Sequence, residues 1–139
     1  MSDRSDKRIL VLDDETHIGS LFKEYLTREG FAVDVFNSPE PAYDAITETC
    51  YDLFLLDFSM PALDGDRFYE MVEMHIREKA RSADEAVKLP PFIVVTGFDW
   101  SPDSDRIQRF IEKAEFVINK PFDLEDLREK ILTVFQKLT

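Results

Sequence analysis

The sequence predicts a doubly wound α/β domain with a five-stranded parallel sheet, and two observations carry the prediction. Short, wholly apolar runs recur along the chain: Ile9-Leu10-Val11-Leu12, Leu53-Phe54-Leu55-Leu56 and Phe92-Ile93-Val94-Val95. Runs of strand length without polar alternation suit strands covered on both faces, as a parallel sheet requires. Between them lie segments whose apolar residues recur at helical spacing, so strands and helices alternate, which is the pattern of a doubly wound sheet.

Residues 9–12 make the first strand, which stops at Asp13-Asp14. Ile18, Leu21, Phe22, Tyr25 and Leu26 then give a helix its buried side, and Gly30 is placed to end it. Residues 31–36 read as the second strand. Ser38 can cap a short helix with Pro39 at its first position, and Ala42, Ala45 and Ile46 form its inner side. The third strand, 53–56, ends at Asp57. The turn 60–65 leads into a helix with Phe68, Met71, Val72 and Ile76 on one face. The fourth strand, 92–95, ends at Thr96-Gly97 and precedes a helix carrying Ile107, Phe110, Ile111 and Ala114. Residues 116–118 form the last strand, closed by Lys120-Pro121. Asp123 caps the final helix, whose Leu124, Leu127, Ile131, Val134, Phe135 and Leu138 face inward. The mixed-charge stretch 77–89 reads either as a longer third helix or as a solvated loop. No linker or repeat divides the chain, so a single domain over 1–139, with its core at about 8–138, is expected.

Composition narrows the function. At 139 residues, 44% of them hydrophobic, the chain can bury a real core. Its formal charge of −12 would repel a phosphate backbone, which argues against direct nucleic-acid binding. No apolar run is long enough to cross a bilayer, and the polar first residues do not form a signal peptide. The one cysteine, Cys50, has no internal disulfide partner and reads as an inert thiol in a reducing cytoplasm.

In an open parallel sheet, ligands bind beyond the carboxyl ends of the strands, near the point where strand order reverses. Four strands end there in polar residues: Asp13-Asp14, Asp57, Thr96 and, after Asn119, Lys120. One acidic strand end means little, because every strand must meet solvent somewhere. Three carboxylates, a hydroxyl and an ammonium at one edge are chemically coherent. Clustered carboxylates repel one another unless a cation sits between them, and hard oxygen donors without histidine or cysteine favour Mg2+. Beside such an ion a carboxylate can act as a nucleophile toward phosphorus, giving an acyl phosphate. Lys120 would bring a positive charge, and the Thr96 hydroxyl a hydrogen bond, to the phosphoryl oxygens.

These residues closely resemble the receiver domain of two-component response regulators. The resemblance runs from Arg8 to Leu138 and rests on Asp13-Asp14-Glu15, Asp57, Met60-Pro61-x-x-Asp64-Gly65, Thr96-Gly97 and Lys120-Pro121-Phe122. It implies the strand order 2-1-3-4-5 of flavodoxin-like folds. It also implies Mg2+ held by Asp14, Asp57 and the Ser59 main-chain carbonyl, with Asp13 acting largely through water. Asp57 would accept its phosphoryl group from a histidine kinase or histidine phosphotransfer protein. Phosphorylation would draw in the Thr96 hydroxyl and repack the surface of the fourth helix, fifth strand and fifth helix, changing its downstream protein partner. The only chemistry expected is on the chain itself, so it would not be an enzyme in the ordinary sense. A cytoplasmic location is expected, and a phosphorylation-dependent homodimer is left open.

Three departures from the family pattern stand out. Three residues before Lys120, where many receivers carry a switching aromatic, stands Val117, with Phe116 one place earlier. The positions that tune dephosphorylation are Ser59 and Phe98; Phe98 cannot orient a water, so a long-lived acyl phosphate is expected. The stretch 77–89 is longer than the usual connection.

Other readings weigh less. An aspartyl-phosphate phosphatase would need a second acid two residues after Asp57, where Ser59 stands. A flavodoxin-like cofactor binder would need a Gly/Ser/Thr loop after the first strand, where the acids would repel phosphate. A receiver-shaped interaction module that works without phosphorylation is the alternative. His17 and His75, alone on their helices, read as ordinary histidines. Trp100 and Phe98 suit either packing over the site or a recognition patch.

Overall fold

The computed structural model describes residues 7–58, 63–79, 89–96 and 105–137, without the side chains of 57–58, 63–66 and 105–107. Five strands alternate with five helices: β1 (Arg8–Asp13), α1 (Thr16–Arg28), β2 (Ala32–Phe36), α2 (Pro39–Glu48), β3 (Leu53–Phe58), α3 (Leu63–Lys79), β4 (Phe92–Thr96), α4 (Asp105–Glu112), β5 (Phe116–Asn119) and α5 (Leu124–Lys137). All pairings are parallel, in the order β2-β1-β3-β4-β5. The doubly wound architecture and the strand order are therefore those expected.

Strand alternation sorts the core into two layers. Ile9, Val11, Leu53, Leu55, Ile93 and Val95 pack with α1 and α5, through Phe22, Leu26, Leu127, Ile131 and Val134. Leu10, Leu12, Phe54, Leu56, Phe92 and Val94 pack with α2, α3 and α4, through Ala42, Phe68, Val72 and Phe110. Every one of these strand residues is at most 2% exposed, which is why the runs carry no polar alternation.

The helix ends follow local chemistry. Gly30 adopts φ 101°, and the Gly30 and Phe31 N–H groups donate to the carbonyls of Thr27 and Leu26, the paired bonds that close a helix through a left-handed residue. Asp123 Oδ1 accepts the Glu125 N–H at 3.0 Å at the start of α5. Ser38 occupies the cap position of α2, yet its hydroxyl makes no capping bond. A cap bonds the second or third helical N–H, and the third residue here is Pro41, which has none.

One apolar residue falls elsewhere than the helical pattern suggested. Leu21 is 46% exposed, because the inward face of α1 is centred on Phe22 and Leu26, with Gly19 beside them. Phe135 faces inward as expected, buried against Phe31 with ring centroids 5.7 Å apart. On α3, Tyr69 is buried against Phe92 and Phe110; burial, then the charge of Glu73, pushes its phenol up to about 12. In the stretch 77–89, α3 runs to Lys79, and 80–88 lie outside the described residues.

Gly19 sets how closely α1 approaches the sheet. A Cβ there would stand 2.7 Å from Val35 Cγ1 and 3.8 Å from Asp13 Oδ2. Val35 has little χ1 freedom, so the helix would have to lift. Gly19→Ala is expected to lower the urea midpoint, because overpacking of roughly 1–3 kcal/mol outweighs about 1 kcal/mol of improved helix propensity. An unchanged or raised midpoint would show that the close approach is not required.

Candidate functional site

Strand register brings the sequence-predicted residues to one edge. Asp13, the last residue of β1, pairs directly across from Asp57 on β3. Asp57 in turn pairs with Val95, so Thr96 lies one residue further along β4, opposite Asn119 at the end of β5. Lys120 follows Asn119, and its N–H donates to the Thr96 carbonyl at 2.8 Å. The carboxyl edge therefore holds Asp13, Asp14, Asp57, Thr96 and Lys120 on β1, β3, β4 and β5. Ser59, Gly97, Phe98 and Trp100 lie outside the described residues, as does the Asp57 side chain. Asp64-Gly65 belongs to the first turn of α3.

Burial differs sharply along this edge. Asp13 is 1% exposed and Thr96 fully buried, whereas Asp14 faces solvent. Asp13 Oδ1 accepts the Glu15 N–H at 2.8 Å, which folds the chain back over the strand end. A carboxylate this buried survives where polar partners or a cation offset its desolvation. The apolar strand positions the acid; the turn after it leaves Asp14 exposed.

Glu15 is the residue whose place the sequence did not disclose. Its Oε1 lies 3.5 Å from Lys120 Nζ, both side chains being only partly exposed. The signal available was its position directly after the two aspartates, but only the fold brings β5's end to it. His17 is largely solvent-exposed, 3.9 Å from the same carboxylate, as its reading as an ordinary histidine predicted.

On β5 the two candidate switch residues part company. Phe116 packs on the α1/α5 layer, with Lys130 Nζ 5.7 Å from its ring centroid, while Val117 packs on the opposite layer. Strand alternation thus keeps Phe116 from standing in for an aromatic at 117. The larger of two described cavities, about 410 Å3, lies between α3 and α4 and is lined by none of the candidate site residues.

A parallel sheet in the order 2-1-3-4-5 with acids, a hydroxyl and an ammonium at its carboxyl edge is the arrangement of a receiver domain, a signalling module rather than a conventional enzyme. The chain belongs to the response regulator receiver domain family, which matches it over residues 9–132. It is 35% identical over 134 residues to the transcriptional regulatory protein ResD of Bacillus subtilis, a match covering 96% of this chain and 49% of ResD. The chain thus spans about half the length of the curated relatives it matches. Among solved structures it resembles the response regulator TrrA of Thermotoga maritima in complex with Mg2+-BeF, with 31% identity, a TM-score of 0.65, and coverage of 91% of this chain and 97% of TrrA. A CheY-like receiver domain protein of Methanospirillum hungatei is similar at 27% identity and a TM-score of 0.70, covering 94% of each chain. Membership in this family implies a cognate histidine kinase. Among the described residues no helix is long and apolar enough to cross a membrane.

Proposed function

We propose that this receiver accepts a phosphoryl group on Asp57 in a Mg2+-dependent reaction, and that the change switches its protein partner. The observation that carries the reading is the register pairing Asp13 with Asp57, beside a buried Thr96 and a Lys120 bonded to its carbonyl. In the transfer, an Asp57 carboxylate oxygen attacks phosphorus, and the bond to the donor's leaving group breaks. The donor is the phosphohistidine of a kinase or of a phosphotransfer protein.

The donor set fits Mg2+: successive acids at 13 and 14, one buried and one exposed, beside the register position of a third. Asp14, Asp57 and the Ser59 carbonyl would hold the ion, with Asp13 acting through water. Once bound, it would neutralise the acids and offset charge on the phosphoryl oxygens. Lys120 supplies a cation on the other side of the same edge. Leaving Glu15 for the phosphoryl group would exchange one anionic partner for a stronger one. The Thr96 hydroxyl donates to a phosphoryl oxygen, and α4, β5 and α5 repack around that shift. Phe98 offers no group to orient an attacking water, so a long-lived product is expected. On this reading the chain forms one receiver domain over 1–139, with its core at about 8–138. It works in the cytoplasm, contacts neither nucleic acid nor membrane directly, and has no activity beyond forming and losing its own acyl phosphate. A homodimer induced by phosphorylation is one form the switch can take.

Intact-mass measurement after incubation with acetyl phosphate and Mg2+ tests this. The expected result is a gain of one phosphoryl group, mapped to the peptide containing Asp57 and prevented by prior addition of a chelator. No gain from either acetyl phosphate or a phosphohistidine donor, with the protein folded, would favour an interaction module that works without phosphorylation.

A further inference from the structure

Glu15 stands at the cap position of α1, yet its carboxylate makes no capping bond. Its backbone is fixed from both sides. The Glu15 N–H donates to Asp13 Oδ1 at 2.8 Å, and its carbonyl accepts the Ile18 and Gly19 N–H groups at 3.1 Å. The carboxylate reaches instead across the sheet edge, to 3.5 Å from Lys120 Nζ at the end of β5. Lys120 is anchored in turn, its N–H donating to the Thr96 carbonyl at 2.8 Å. Two held backbones, one near each end of the chain, thus bring this acid and this ammonium together.

Their surroundings give the pair weight. The Lys120 and Glu15 side chains are 20% and 34% exposed, whereas the helical pair Arg28–Glu24 is 75% and 62% exposed. Charges withdrawn from solvent are screened less by salt. The same ammonium is the cation that the proposed transfer brings to the phosphoryl oxygens. Its attraction to Glu15 belongs to the resting protein, and moving onto a phosphoryl group weakens it.

We propose that Glu15 is a positioning residue that acts as a brake on phosphorylation: it holds the Lys120 ammonium at rest, and the pair yields before Lys120 serves the phosphoryl group. This role rests on Asp57 being the acceptor, as in the function proposed for this edge. Because the pair belongs to the resting protein, removing it speeds loading and leaves loss of the phosphoryl group at its own rate.

Glu15→Gln keeps the length of the side chain and both backbone bonds while removing the charge. Loading by acetyl phosphate at saturating Mg2+, followed by intact mass, is expected to be about two- to fivefold faster in this variant, the range for a partly exposed ion pair. After the donor is removed, the phosphoryl group should be lost at the parent's rate. A lost negative charge also repels an anionic donor less, so a double-mutant cycle separates the two causes. In a Lys120→Met background, Glu15→Gln should no longer change the rate. If Lys120→Met loads too slowly to time, the same cycle is read from the dissociation constant of fluoroberyllate with Mg2+, the phosphoryl mimic in the TrrA complex. There Glu15→Gln should tighten binding about two- to fivefold, and only when Lys120 is present. Unchanged or slower loading in Glu15→Gln, beside a parent that loads, would overturn the brake and leave Asp57 standing as acceptor. A gain that persists in full without Lys120 would overturn it too, placing the effect on the donor's charge. A parent that takes up neither a phosphoryl group nor fluoroberyllate would remove Asp57 as acceptor and the brake together.

Discussion

Asp57→Ala protein is expected to gain no phosphoryl group from acetyl phosphate and Mg2+ under conditions that fully load the parent. Removing the proposed acceptor leaves neither Asp13 nor Asp14 placed to replace it. Asp13 is buried, with one oxygen engaged by the Glu15 N–H, and Asp14 points to solvent beyond the strand end. Asp13→Asn separates metal binding from the acceptor itself. Asparagine keeps the Oδ1 acceptor for the Glu15 N–H but removes a charge, so Mg2+ affinity should fall by roughly 10- to 100-fold, as when a group acting through a metal's bound water is lost. The Mg2+-dependent rise in Tm should shrink in step, because a ligand stabilises the folded chain only in proportion to its binding. Thermal melts across Mg2+ concentrations, beside phosphorylation time courses, report both quantities. A phosphorylated Asp57→Ala protein would move the acceptor to another residue. An Asp13→Asn protein with unchanged Mg2+ response would remove Asp13 from the metal's surroundings.

The second large effect concerns the core. Phe54→Ala should cost about 3–5 kcal/mol, measured by urea unfolding, through lost burial and the void left behind. Phe54 is 1% exposed on the central strand, and its ring stands edge-on to Phe68 at 5.3 Å and to Tyr69 at 6.5 Å, with Tyr51 also at 6.5 Å. Ring pairs of this geometry add stability beyond their buried area. The neighbouring layers cannot close the gap without moving α3 away from the sheet. Met74, 63% exposed on the outer side of the same helix, provides the contrast: its replacement by alanine should change stability by no more than about 0.5 kcal/mol. A Phe54→Ala cost below about 1 kcal/mol would mean that the layer relaxes around the void.

Much of this protein could be read along the chain because its signals are local. A strand buried on both faces must be apolar throughout, so the runs at 9–12, 53–56 and 92–95 marked β1, β3 and β4 without any knowledge of their neighbours. A helix ends where a glycine takes φ 101° and begins where an aspartate accepts a free N–H, and both residues could be named in advance. Because polar residues followed the apolar runs, Asp13, Asp14, Asp57, Thr96 and Lys120 could be expected at the carboxyl edge, where register places them. Their order across the sheet was not contained in those residues taken alone; it came with the family resemblance.

Tertiary structure decided what depends on pairs far apart in sequence. Register set Asp13 against Asp57, and the end of β5 carried Lys120 to Glu15, a partnership no spacing along the chain announces. The close approach of α1 made Gly19 a requirement of packing and turned Leu21 outward, although both lie in an ordinary helical pattern. A second cavity, beside His75, arises only where α2 and α3 meet above the amino ends of the strands. Apolar periodicity follows from how one element meets solvent and core, whereas ion pairs, close approaches and cavities follow from where two elements meet each other.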